Sequence, residues 1–237
     1  MNELVELWLY LSASPLFGLA ATLGVYVLAA LASARLGQPP WANPVLWTVL
    51  VLAALLLASG TPYAAYFAGA QFIHFLLGPA VVALGWLLWQ RRAALRRQAL
   101  AFGVAALAGG AAAAGSAVLL GQAFGLPAEI VAALAPKSVT APVAMGIAER
   151  IGGVPALAAV FAVLTGLIGA VTAPYLLDLL RIGSPAVRGF ALGTASHGIG
   201  AARALQVHPD AGAHAGLAFA LQALLAALLL PLALRGL

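Results

Sequence analysis

The stretch LAPKSVTAPVAMGIAERIGG, Leu134–Gly153, sets one lysine and several hydroxyl and helix-breaking residues inside an otherwise apolar run. A cation at the centre of a bilayer costs about 3 kcal/mol on insertion scales, so Lys137 reads as a working charge. Pro136 and Pro142 flank it. Each lacks an N–H and clashes with the preceding turn, which forbids a continuous helix through the lysine. The break frees backbone groups that can hold a polar ligand.

The surrounding composition supplies the membrane. Of 237 residues, 64% are apolar and 7% charged, too little polar surface to cover a soluble core. The fold class expected is all-α integral membrane, multi-pass in the cell inner (cytoplasmic) membrane. The formal charge of +5 invites a nucleic-acid reading. The one basic cluster, Arg91, Arg92, Arg96 and Arg97, instead lies between two apolar runs, as a cytoplasmic loop does under the positive-inside rule. Cysteine is absent, which excludes disulfides, thiol catalysis and thiolate metal sites.

Each apolar run can be measured against the roughly 20 residues that cross a bilayer. Residues 7–34, 45–59, 72–89 and 99–120 read as four spans, the second of them short. Beyond Gly125 the pattern changes. Two segments carry breaks at their centres, 126–150 with Pro-Lys-Ser-Val-Thr-Ala-Pro and 185–207 with Thr-Ala-Ser-His-Gly-Ile-Gly, and each is followed by an unbroken span, 154–177 and 211–234. Arms of about ten residues reach about 15 Å, half the hydrocarbon thickness. Two re-entrant hairpins then form an inverted repeat whose tips meet near the midplane, where secondary transporters bind substrate. The expectation is about six transmembrane helices plus these two segments, the alternative being eight full spans. Positive-inside counting favours hairpins by one arginine. Residues 1–97 are read as scaffold helices and 98–237 as a transport core.

The run PKSVTAPVAMGIAERIGGVPALAAVFAVLTGLIGA, Pro136–Ala170, together with GTASHGIGAARAL, Gly193–Leu205, resembles the LrgB/CidB family of bacterial membrane proteins. The upstream segment FAGAQFIHFLLGPA, Phe67–Ala80, is similar to the family's Gly-Ala-x-x-Ile-x-x-Leu-Leu-Gly-Pro-Ala pattern, so the likeness covers nearly the whole chain. Ala141 and Ala201 depart from it, standing where the family often has threonine. The resemblance implies two kinds of activity. One is holin- or antiholin-like control of murein hydrolase export and cell lysis, with a small LrgA/CidA partner. The other is transport, as in the related plastid glycolate/glycerate carrier and bacterial relatives linked to pyruvate uptake.

The polar inventory favours a carrier of small monocarboxylates of the pyruvate, glycolate, lactate or glycerate class, working by alternating access. Lys137 would neutralise a carboxylate, while Ser138 and Thr140 donate hydrogen bonds to it or to a neighbouring hydroxyl. Ser196 and His197 would do the same from the opposite tip, with Gly198 and Gly200 letting backbone approach closely. Half-helix N-termini after each break add N–H donors. His197 either titrates and couples transport to protons, or stays neutral and bridges the two breaks. Arg203 is either a second anion partner or an arginine at the cytoplasmic end. His74 reads as a buried, satisfied histidine, and Glu149 and Arg150 as surface residues.

Other chemistries fail their context. Gly193–Gly200 has glycine spacing but no preceding strand, so it is no dinucleotide loop and no cofactor is expected. Ser196 and His197 adjoin with no acid at that depth, so no hydrolytic triad and no enzyme is expected. His208 and His214, with only Asp210 nearby, do not make a metal site. The expected partners are the small carboxylate, the lipid bilayer, an LrgA/CidA-like membrane protein and a second copy in a homodimer, with no nucleic acid.

Overall fold

The computed structural model describes residues 16–76, 79, 86, 89, 92–97 and 99–234. Described residues form helices and no strands. Packing divides the chain into two units, within residues 1–80 and 81–237. The sequence-based boundary at 97/98 falls at the end of a short helix, Arg92–Arg97, inside the second unit.

In the first unit α1 (Phe17–Arg35) packs against α2 (Pro44–Ser59) and α3 (Tyr63–Phe75). Asn43 starts α2: its Oδ1 accepts from the N–H groups of Val45 at 2.9 Å and Leu46 at 3.1 Å, with Pro44 at the first helical position. Gly60, at φ +65°, ends it in the left-handed conformation. α1 and α3 approach backbone to backbone, since a Cβ on Gly18 would overlap the Tyr66 carbonyl. The helix α3 begins at Tyr63, nine residues before the expected third span, because Thr61 and Pro62 already break the chain after α2. Most of 77–91, including Arg91, and the side chain of His74 lie outside the described residues, as does the start of the first expected span.

The second unit follows the Arg92–Arg97 helix (α4) with α5 (Ala99–Ala123), α6 (Ala128–Leu134), α7 (Ala141–Arg150), α8 (Pro155–Leu179), α9 (Pro185–Val207) and α10 (Pro209–Ala233). Among the described residues, α1, α5, α8 and α10 are long and apolar enough to span a membrane, and α2 is a shorter apolar helix. The interior is built of small residues: Ala106, Ala133, Ala144, Ala158, Ala162 and Ala215 have no exposed surface, while Leu100, Leu119, Leu179 and Leu232 point outward. That inversion suits lipid, where close packing of small residues rather than oil burial holds helices together.

Both broken segments turn back on themselves. In α9 the backbone leaves helical geometry at Ser196 and His197. A Cβ on Gly200 would stand 2.6 Å from the Leu192 carbonyl oxygen, whereas eight residues of continuous helix rise about 12 Å. Gly189 near its start and Leu205 near its end both meet the first turn of α10, at Ala211 and Gly212. The first segment, α6–α7, behaves likewise: a Cβ on Gly153 would lie 2.7 Å from the amide nitrogen of Ala133, across what would otherwise be about 30 Å of helix. The eight-span alternative is therefore corrected to two hairpins.

Their orientation follows from α8, which joins them. Hairpin 1 ends at Arg150, beside the start of α8, and hairpin 2 begins at Pro185, beside its end, so the two open at opposite ends of one 25-residue helix. Cysteines placed in the cysteine-free chain at Glu149 and Ser184, both exposed, should react with an impermeant maleimide from opposite faces of oriented vesicles. Labelling of both from one face would refute the inverted arrangement.

Candidate substrate site at the hairpin tips

The tip of hairpin 1 is a short irregular turn, Ala135–Thr140, closed by the bonds Lys137 N–H to Leu134 O and Val139 N–H to Pro136 O, both 3.1 Å. Pro136 is fully buried, and Pro142 sits in the first turn of α7, where its missing N–H costs nothing. Thr140 is the residue before α7, extended at φ −60° and ψ 145°, yet its side chain makes no capping bond and its buried Oγ1 has no partner among the described residues. The first turn of α7 thus keeps its amide donors without a side-chain cap. Lys137 is half-buried, and among the described residues its ammonium makes no hydrogen bond or ion pair.

Ser138, beside it, faces a partly open cavity of about 190 Å³ bordered by this tip, α5 and α10. Gly110, one residue from the centre of α5, and Gln222, one residue from the centre of α10, line the same cavity. The tip therefore ends halfway along the two 25-residue helices, at the depth of the bilayer midplane. Gln222 is only 5% exposed and its Oε1 has no hydrogen-bond partner among the described residues. A buried unsatisfied amide oxygen costs about 1–3 kcal/mol, a standing cost that a ligand can relieve. Lys137 does not line this cavity.

Hairpin 2 reaches the same depth from the other end and seats its tip on the middle of α8. His197 takes φ +42° and ψ −137°, a conformation that L side chains rarely adopt. What holds it there is a hydrogen bond: its Nε2–H donates to the Ala162 carbonyl at 2.8 Å, which assigns the proton to Nε2. His197 thus ties its hairpin to α8 and does not bridge to hairpin 1. Gly166 and Gly169 form its seat, since a Cβ on Gly166 would come within 2.8 Å of the imidazole and one on Gly169 would overlap Ser196 Oγ. Ser196 is buried with its Oγ unpartnered among the described residues, as is the Oγ1 of Thr194, whose methyl lies over Gly109 of α5.

The structure thus groups Pro136, Lys137, Ser138, Thr140 and Pro142 at one tip and Ser196 and His197 at the other. Gly198 faces open space, and Gly200 allows the arms of hairpin 2 to close on Leu192. Arg203 lies far down the second arm, lining a separate cavity at the hairpin's base with Arg188. Glu149 and Arg150 are exposed at the base of hairpin 1. His208 and His214 serve the start of α10: His208 Nδ1 accepts from the Asp210 N–H at 3.1 Å, and His214 Nδ1 donates to the Asp210 carbonyl at 2.9 Å.

Gln222 and Thr194 were not singled out from the sequence. The available signal was a lone amide in the apolar run LAFALQALLAALLL, and a hydroxyl two residues before Ser196. Gln222→Leu removes the unpaired oxygen with little change of volume. The variant should be as stable as the parent or more so, by up to about 1–3 kcal/mol. If the amide meets substrate, uptake should nonetheless fall about tenfold. Thermal unfolding and uptake measured on the same preparation separate the two effects.

Such a molecule is an all-α integral membrane protein organised around two inverted, re-entrant hairpins. The chain belongs to the LrgB-like family, which residues 22–235 match. It is 36% identical over 167 residues to the uncharacterized protein YxaC of Bacillus subtilis (strain 168), covering 70% of this chain and 73% of that one. Over 185 residues it is 33% identical to the uncharacterized protein YwbG of the same organism, covering 78% and 82%. Over 192 residues it is 30% identical to the holin-like protein CidB of Staphylococcus aureus (strain Mu50 / ATCC 700699), covering 81% and 84%. No solved structure matches the chain.

Proposed function

We propose that this protein carries small monocarboxylates, of the pyruvate, glycolate, lactate or glycerate class, across the cytoplasmic membrane by alternating access. One observation carries the reading: a half-buried lysine without an anionic partner among the described residues stands on a hairpin tip that stops halfway through the helices around it. A permanently open pore has no use for a charge kept at that depth, whereas a two- or three-carbon acid needs one. The carboxylate pairs with Lys137, the uncapped amides of α7 add donors, and the Thr140 hydroxyl donates to the substrate's second oxygen, while Ser138 and Gln222 line the cavity beside the tip. The two hairpins, opening at opposite ends of α8, provide the two routes to the tips.

The second reading is a holin-like regulator of lysis, favoured by the similarity to the holin-like protein CidB of Staphylococcus aureus. Uptake of labelled pyruvate and glycolate into proteoliposomes at two external pH values separates them, with the protein alone and with a small LrgA/CidA-like partner. Saturable uptake competed by unlabelled acids supports the carrier, and dependence on the pH gradient reads proton coupling. Leakage of unrelated solutes without competition supports the regulator.

A further inference from the structure

The positive charge of the chain is not spread along it. Between Glu6 and Glu129 stand five arginines, no lysine and no carboxylate. The other six cations are matched by six carboxylates, so the formal charge of +5 belongs to this stretch. Four of its arginines, Arg91, Arg92, Arg96 and Arg97, fall within seven residues. Positive-inside counting explains on which side such a loop stays, but not why it is left without a counter-charge. We propose that this arginine cluster, with Trp86 and Trp89, is a docking site for the phosphate of an anionic phospholipid. The proposal is independent of what the hairpins carry.

Depth comes from α5. Arg97 stands two residues before α5 begins at Ala99. The 25 residues of α5 rise about 38 Å, more than the roughly 30 Å of hydrocarbon and less than the roughly 40–45 Å that includes the headgroups. The start of α5 therefore emerges among the headgroups, and the Arg92–Arg97 helix is held at the level of the lipid phosphates. Trp86 and Trp89 are 61% and 58% exposed, and indoles favour this same layer.

The guanidinium groups are available there. Arg92, Arg96 and Arg97 are all exposed, and among the described residues none pairs with a carboxylate. Arg92 lies 4.6 Å over the ring of Trp89, and its Nη1 donates to the Trp89 carbonyl at 3.0 Å. Neither contact cancels its charge, since a ring face and one neutral carbonyl take up a single N–H of the group. Arg96 and Arg97 make no hydrogen bond or ion pair among the described residues. Trp86, Trp89, Arg92 and Arg96 recur at intervals of three, three and four residues, the spacing of one helix face. Indoles and guanidinium groups thus address one patch of membrane. Each cation in such a cluster beside a span strengthens the attraction to anionic headgroups about fivefold. An acidic protein segment offers the same charge, but it would have to enter the headgroup layer that anionic lipid already fills.

Binding of phosphatidylglycerol and of phosphatidylcholine to the detergent-purified full chain, read by native mass spectrometry, tests the site without any dependence on orientation in a membrane. The parent should bind its first phosphatidylglycerol at least about tenfold more tightly than phosphatidylcholine. Combining Arg92→Gln, Arg96→Gln and Arg97→Gln should lower that ratio at least about fivefold. The corresponding triple change to lysine should keep most of the preference, because charge carries it. Arg181→Gln, at an exposed arginine elsewhere, should leave the ratio unchanged. Raising the ionic strength from about 0.1 to about 0.5 M should weaken the preference of the parent, since its arginines are exposed to screening. Equal affinities in the parent overturn the proposal and leave the arginines to orientation or to an acidic protein. A preference that survives the triple glutamine change, or that salt leaves untouched, overturns it as well. Thermal unfolding reports whether the triple variant is folded; if it is not, Arg96→Gln with Arg97→Gln takes its place under the same criteria.

Discussion

Lys137→Met should abolish saturable carboxylate uptake while leaving the purified protein as stable as the parent or more so. The two directions come from one physical cause. Holding an ammonium at this depth costs about 3 kcal/mol, and among the described residues no anion repays it, so an apolar side chain of similar length relieves the resting protein. Transport loses what stability gains. A carboxylate entering the site would lose its only full counter-charge at the tip, and breaking one partner of a buried pair costs about 3–5 kcal/mol, roughly a hundredfold or more in affinity. Lys137→Arg keeps the charge on a wider head group and should retain measurable uptake at a raised KM. The measurements are initial uptake rates over a range of pyruvate concentrations, beside thermal unfolding in detergent. A Lys137→Met protein that transports normally would remove the lysine from the site, and one that unfolds readily would make the lysine a structural group.

The position of that lysine was legible because helix breakers announce themselves locally. Pro136 and Pro142 on either side of Lys137 disfavour a continuous helix through it, although Pro174 in α8 and Pro231 in α10 show that a single proline need not end one, and the cluster of glycine, serine and histidine around His197 marks the second break. Composition cannot say whether the chain turns back or continues after a break. That is decided by contacts between residues far apart in sequence, Gly153 with Ala133 and Gly200 with Leu192, where the absence of a side chain lets two backbones touch. The same limit explains the site residues. Ser196 and His197 were found because they sit in the break; Gln222 belongs to an unbroken helix, and only the fold brings it to the first tip. Arg203 shares a motif with His197, but an arm of helix carries it toward the base within six residues. In the first unit, α3 starts earlier than the hydrophobic run suggests because the Thr61–Pro62 corner, rather than apolarity, begins the helix.

The glycines of α8 carry the other large effect. Gly169→Ala should lower both thermal stability and uptake sharply, since its new methyl would occupy the place of Ser196 Oγ. Gly166→Ala should act similarly through the imidazole of His197, at 2.8 Å. Overpacking costs typically about 1–3 kcal/mol, and here the displaced group is the hairpin tip itself, so the His197 to Ala162 bond is lost with it. A general effect of alanine for glycine in a helix runs the other way, stabilising by about 1 kcal/mol. Gly103 in α5 supplies that control, because a Cβ there meets nothing within 4 Å. The damage should also be reversible at its source. Ser196→Gly removes the atoms that collide, so the double variant Gly169→Ala with Ser196→Gly should regain stability relative to Gly169→Ala alone, a coupling of about 0.5–3 kcal/mol expected only for groups in contact. Additive losses in that cycle, or a Gly169→Ala variant indistinguishable from Gly103→Ala, would mean that hairpin 2 does not seat on α8. The small residues of α8 would then serve helix packing alone, and the depth of the second tip would lose its physical basis.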